Sequence, residues 1–317
     1  MSTDKELHDA FDGWWIYDCA IRKRDIFSFL LLEQKEDSAN GLKKMVNYLP
    51  NELVGEKIGW VEFDGFQIPR IEVSQLPVNQ AIMVSLDCCV AALGAGMDDM
   101  EKAISMGKNG CLITSCHGLK NIGGMIYATG GWRSVCRRIG PDRWESIVDR
   151  ASMPEPARLD YGGTDGGFDA LDGFNQQDIY CAGGAGDVWR FDGKRWHQCA
   201  VPTNQELSSV CCAGDGYVYI GMQMGSVMRG RENKWEIIHK GDMSLRFKDM
   251  VWYQGKVWCT SDYGLWVIEN GKLREANEFG PEVYARSGNL AVGDGVMLLA
   301  GMQGATVYDG KSWSTIL

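Results

Sequence analysis

Apolar positions in the second half of the chain fall in short runs that come in pairs. Ser209–Ala213 and Tyr217–Met222 flank Gly214-Asp215-Gly216; Asp249–Tyr253 and Lys256–Thr260 flank Gln254-Gly255; Asn289–Val292 and Val296–Ala300 flank Gly293-Asp294-Gly295. Period-two alternation bounded by such turn residues predicts β-hairpins. A second hairpin recurs as a phrase with slippage. It reads Gly-Asp-Val-Trp-Arg-Phe-Asp-Gly-Lys-Arg-Trp at 186–196, Gly-Ser-Val-Met-Arg-Gly-Arg-Glu-Asn-Lys-Trp at 225–235 and Gly-Ala-Thr-Val-Tyr-Asp-Gly-Lys-Ser-Trp at 304–313. Gly264–Leu273 repeats it with Leu in the Trp slot. Each copy is an apolar strand, a tight turn, then a large side chain opening the next strand.

Anchored on that last side chain, the phrase runs back through Trp313, Leu273, Trp235, Trp196, Trp144, Cys111 and Phe66, with separations from first to last of 45, 33, 52, 39, 38 and 40. Hairpins recurring near this period predict an all-β fold, a seven-bladed β-propeller of four-stranded antiparallel blades occupying 1–317 as one domain. The inner hairpins of the earlier blades are Trp14–Cys19 with Asp25–Glu33, Gln80–Leu86 with Cys89–Leu93, Gly118–Ile122 with Met125–Thr129, and Phe168–Gly173 with Asp178–Ala182. Two stretches break the rhythm. In 34–57, Leu42, Met45, Val46 and Leu49 fall at i, i+3, i+4 and i+7, Ser38 can cap and Pro50 can stop, so a short helical insertion is predicted in blade one. The link 148–167 is long and rich in Pro, Gly and Asp. Trp313–Leu317 completes the last blade, so closure is expected through side-chain packing of blade one on blade seven, without strand exchange.

Charge and cysteine usage narrow the setting. The net charge is −10, which disfavours nucleic acid and anionic membranes as partners and favours a cationic one. The eleven cysteines are odd in number and scattered through apolar runs, as free thiols of a reducing cytoplasm would be. The charged opening Met-Ser-Thr-Asp-Lys-Glu carries no secretory pattern, and no run reaches membrane-spanning length.

Chemistry-bearing motifs are sparse. His8, His117, His197 and His239 make no metal-ligand spacing with each other or with cysteine, and Cys111 and Cys116 lack a zinc-type pair. Asp165, Asp169 and Asp172 lack the spacing and closing Glu of a calcium loop. Gly183–Gly186 precedes no helix, so it makes no phosphate cradle. The expectation is no catalytic residue, no metal and no cofactor.

Across residues 12–317 the repeat resembles the β-propeller superfamily at the level of architecture. A small acidic propeller without catalytic motifs is similar to bacterial immunity proteins of contact-dependent or type VI toxin systems. The resemblance implies a cytoplasmic, non-catalytic protein-binding propeller whose partner is a cationic toxin domain. The alternatives are a small-ligand or carbohydrate-binding propeller, or an enzyme using the central channel. In an up-and-down blade the second-to-third turns and the links between blades emerge on one face. Partner contacts are therefore expected from Trp132, Arg133, Asp187, Gln223, Asp262, Tyr263 and Gln303 in the turns, and from Asp160 and Asp165 in the long link.

Overall fold

The computed structural model describes residues 3–35, 41–156 and 166–317. Its strands assemble into seven four-stranded antiparallel sheets, each joining strands consecutive in the chain. After helix α1 (Thr3–Phe11), blade one is β1 (Trp14–Lys23), β2 (Ile26–Glu33), β3 (Lys43–Tyr48) and β4 (Ile58–Phe63). Blade two is β5 (Arg70–Ser74), β6 (Gln80–Val84), β7 (Val90–Gly94) and β8 (Met97–Glu101). Blade three is β9 (Cys116–Ile122), β10 (Met125–Gly130), β11 (Ser134–Gly140) and β12 (Arg143–Ser146). Blade four is β13 (Ala170–Asn175), β14 (Asp178–Gly183), β15 (Asp187–Phe191) and β16 (Trp196–Gln198). Blade five is β17 (Leu207–Cys212), β18 (Val218–Met222), β19 (Val227–Arg231) and β20 (Lys234–His239). Blade six is β21 (Asp249–Tyr253), β22 (Lys256–Ser261), β23 (Gly264–Glu269) and β24 (Lys272–Glu275). Helix α2 (Pro281–Tyr284) leads to blade seven, β25 (Asn289–Gly293), β26 (Val296–Gly301), β27 (Gly304–Tyr308) and β28 (Trp313–Thr315). The fold is the expected seven-bladed β-propeller.

Three expectations are corrected. Residues 42–49 form no helix: Lys43–Tyr48 is β3, with every residue buried. A strand covered on both faces loses its alternation, and a short apolar run then carries no readable period. The register of blade two is one strand out: Gln80–Val84 and Val90–Gly94 are its second and third strands, and Arg70–Ser74 is its first. Phe66 and Cys111 open no outer strand. Phe66 follows β4 and is buried in an apolar cluster with Phe63, Ile71 and Met83, so its Asp64-Gly65 turn belongs to the link between blades. Cys111 lies between β8 and β9, its thiol donating to the Trp144 carbonyl at 3.3 Å. The other five anchors, Trp144, Trp196, Trp235, Leu273 and Trp313, sit in β12, β16, β20, β24 and β28.

The chain forms two compact units, residues 1–103 with 262–264 and 277–317, and residues 104–261 with 265–276. In the first, blade one packs directly on blade seven. Ile16, Phe27, Phe29 and Val46 share a core with Val296, Leu298 and Ala305, and Leu7 and Phe11 of α1 cover it. A Cβ on Gly293 would stand 3.0 Å from Ile21, and the Arg24 amide donates to Asp294 at 3.0 Å. β28 pairs with β27 and β4 with β3, so no strand is exchanged between these two sheets. In the second unit, Tyr127, Trp189 and Trp196 fill the core between blades three and four, and Tyr180, Ile220 and Met228 that between four and five.

One device recurs in both units. Asp18 on β1 accepts the amides of Cys19 at 2.9 Å and of Ile71, on the next blade's inner strand, at 3.0 Å. Asp172 on β13 accepts those of Gly173 and of Cys212 on the next blade, both at 2.8 Å. Inner strands of neighbouring blades share no ladder, so these carboxylates satisfy amides that otherwise have no strand partner.

Candidate functional site

In the second unit, links and second-to-third turns meet, as the up-and-down topology requires. Gly131 bridges Gly167, Ala185 bridges Glu206, and the Met243 amide donates to the Met224 carbonyl at 3.1 Å. Trp132, Arg133 and Met224 hold φ angles of 58°, 52° and 60°, the left-handed region that lets a tight turn close. Gly130 has no room for a side chain, because a Cβ there would collide with the Ser115 carbonyl.

Within that unit the structure brings Arg133 and Asp187 together. The Arg133 Nε and Nη2 donate to Asp187 Oδ2 and Oδ1 at 2.7 and 3.1 Å, its Nη1 donates to the Pro154 carbonyl at 3.0 Å, and the guanidinium lies 5.0 Å from the Trp189 ring. The Trp189 indole also donates to Asp187, at 2.9 Å. The fork joins the turn of blade three to that of blade four, and its donors and acceptors are occupied within the protein. Trp132 is half-buried and Gln223 exposed. Asp160 and Asp165 lie outside the described residues.

In the first unit, Asp262, Tyr263 and Gln303 are exposed, Tyr263 at 82% and the neighbouring Met302 at 64%. The turn carrying Met302 and Gln303 is pinned from behind. The Ala305 amide and the Arg286 Nε donate to the Leu317 carbonyl at 3.2 and 3.0 Å.

Two other groupings escaped the sequence reading. Ser115 Oγ and His117 Nε2 lie 2.8 Å apart, and His117 Nδ1 lies 3.5 Å from Asp169. The order is that of a hydrolytic triad, with the His117–Asp169 contact longer than the usual hydrogen-bond range. On the outer part of blades four and five, Arg190, Asp192, His197, Gln198, Cys199, Glu232 and Asn233 line a cavity of about 310 Å³. Its polar groups are already paired: Arg190 with Asp178 and Glu232 at 2.7 and 3.0 Å, His197 with Asp192 at 2.8 Å. Burial pushes the Cys199 thiol up to about 12 and raises those of Cys181, Cys211, Cys212 and Cys259, so none of the five is an activated thiolate. Among the described residues no three His, Cys, Asp or Glu side chains gather as metal ligands, and no helix is long and apolar enough to cross a membrane.

The molecule is thus a seven-bladed β-propeller with stiffened loops at its blade ends. Solved structures agree on the fold: a YCF48 protein from Cyanidioschyzon merolae is similar over 93% of this chain and 95% of its own, with a TM-score of 0.60 at 11% identity. The computationally designed Ika8 protein is similar over 96% and 86%, with a TM-score of 0.57 at 14% identity. No protein-family model matches the chain. The immune protein Tsi7 of Pseudomonas aeruginosa is 32% identical over 257 residues, 79% of this chain and 80% of that protein. The chain belongs to the family of this immune protein.

Proposed function

We propose that the chain is a non-catalytic immunity protein of the cytoplasm that binds and neutralises a protein toxin. The observation that carries this reading is the 32% identity to an immune protein over four-fifths of both chains. The net charge of −10 suits a cationic toxin domain, because complementary fields speed encounter and select the partner. Contacts come from the turn tips: exposed Asp262, Tyr263 and Gln303 in the first unit, exposed Gln223 and half-buried Trp132 in the second. Tyr263 serves as an aromatic anchor, since a large ring with few rotatable bonds loses little freedom on binding. Arg133 and Asp187 act one step back, holding their turns in shape. Nucleic acid and anionic membranes are disfavoured by the same charge.

The test is co-expression with candidate toxin domains, any encoded beside this gene being tried first. The wild-type chain restores growth and co-purifies with the toxin, and Tyr263→Ala weakens the complex by about tenfold or more, as loss of an interface anchor does. A wild-type chain that neither protects nor co-purifies overturns the immunity reading. An intact complex in Tyr263→Ala, Trp132→Ala and Gln223→Ala moves the contact away from the turns.

A further inference from the structure

Blade one and blade seven meet at a seam that no strand crosses. β1 packs on β25 and β26 through side chains, while the outer strands β4 and β28 pair within their own sheets. The β1–β2 turn gives a polar tie across the seam, the bond from the Arg24 amide to Asp294, and that bond is exposed. Neighbouring blades of a propeller diverge outward, so the outer part of a seam has the most space to fill. A gap left there would put apolar core in contact with water.

α1 fills that space. Leu7, Ala10 and Phe11 fall at i, i+3 and i+4 and form the apolar stripe of an otherwise polar helix. Ala10 is fully buried. Leu7 and Phe11 pack on a core to which both blades contribute, with Phe29 and Val46 from blade one and Leu298 and Ala305 from blade seven. The Phe11 ring meets Phe29 edge-on, with centroids 5.7 Å apart. A helix of nine residues is too short to hold its shape alone in water, so α1 is helical only while that stripe is docked.

Polar bonds tie α1 to blade one. The Gly55 amide donates to the Glu6 carboxylate at 2.6 Å, and one helical turn further on Lys44 Nζ donates to the Ala10 carbonyl at 3.2 Å. The Lys44 side chain is buried, its ammonium 3.3 Å from Glu62 and 4.1 and 4.5 Å from the centres of the Trp14 and Trp60 rings. A cation at the last carbonyls of a helix is favoured by the helix dipole, and the ring faces favour it further. Just past the helix, the Gly13 carbonyl accepts the Gln34 amide at 2.9 Å. α1 is therefore bonded to one side of the seam and wedged by apolar contact against the other.

We propose that α1 is a clasp. Docked, it shuts the seam between blades one and seven in the place of a shared strand. Undocked, it lets that seam open while the other blades keep their fold. The test uses the chain's own thiols in the absence of any partner, so its outcome is independent of the immunity reading. Cys19 is 5% exposed and lies in the seam core, whereas Cys181, Cys211 and Cys259 are buried in cores of the other unit. A thiol reagent is added to the native chain, and the labelled positions are followed by mass spectrometry. In wild type all four react slowly. In Leu7→Asp/Phe11→Asp, Cys19 reacts about tenfold faster or more, because losing apolar burial at the seam lowers the cost of opening it. Cys181, Cys211 and Cys259 stay far slower than Cys19. Phe11→Ala, a milder truncation, gives the same order of rates and stands in if the double variant does not fold. The proposal is overturned if Cys19 stays as protected as in wild type when Phe11 is replaced. It is equally overturned if the four thiols react together at one rate, since α1 would then only add to the stability of the whole fold.

Discussion

Asp172 shows how much can hang on one side chain that no pattern reveals. Its carboxylate crosses from blade four to the Cys212 amide of blade five, and burial raises its pKa, with Lys120 and the two amides pulling the other way. A carboxyl whose folded pKa lies above its unfolded one binds protons more readily when folded. Its contribution is most favourable below the unfolded value, about 3.9, and is lost as pH rises through the folded pKa. The stability of wild type relative to Asp172→Asn should therefore fall as pH is raised from about 4 towards neutrality. Urea midpoints of the two proteins measured side by side check this, and a difference that stays constant with pH would show that the carboxylate titrates normally. Neither Asp18 nor Asp172 was legible in the sequence. An isolated Asp in an apolar run has no period, and its partner is an amide on another blade. The Arg133–Asp187 pair was legible as two turn residues but not as a pair, because 54 residues of chain separate them.

At the scale of the element, the outer-strand aromatics were the most readable feature and are not equivalent. Trp196 is 2% exposed, donates its indole hydrogen to the Ile147 carbonyl at 3.0 Å and lies 5.2 Å from the Phe191 ring. Trp235 and Trp313 open the same strand in their blades but are half-buried, Trp313 stacked on Tyr308 at 4.9 Å. Trp196→Ala should cost about 3–5 kcal/mol, as truncation of a buried aromatic does. Trp235→Ala and Trp313→Ala should each cost less than that, because part of the removed surface already faces water. Equal losses of denaturation midpoint in all three would show that solvent exposure does not set the cost. The repeat was readable wherever the aromatic follows a two-residue or four-residue turn. It misled where an Asp-Gly turn sits in a link, as before Phe66, and where a strand is buried on both faces, as in β3. Blade one's real helix, α1, was missed because Leu7, Ala10 and Phe11 give it only a narrow apolar stripe among charged residues.

For the molecule as a whole, the cysteines tie fold to setting. All eleven are free thiols, eight buried, with Cys89, Cys111 and Cys212 half-buried. Burial and the Asp87 carboxylate raise the Cys89 pKa, and burial raises that of Cys212. Thiolate is the reactive form, so the folded protein should resist both oxidation and labelling at neutral pH. Seven blades with cores between them need no covalent staple, in contrast to small secreted domains that depend on disulfides. A thiol reagent added to the native chain should therefore react slowly and with three groups at most, Cys89, Cys111 and Cys212. The same reagent added after denaturation, without reductant, should titrate all eleven. Recovery of the missing groups only after reduction would mean that the chain forms disulfides, which the proposed cytoplasmic setting does not sustain. Fast native labelling of more than three thiols would mean that at least one blade opens readily. The two measurements separate a misjudged compartment from a misjudged core, because the first reads covalent state and the second reads burial.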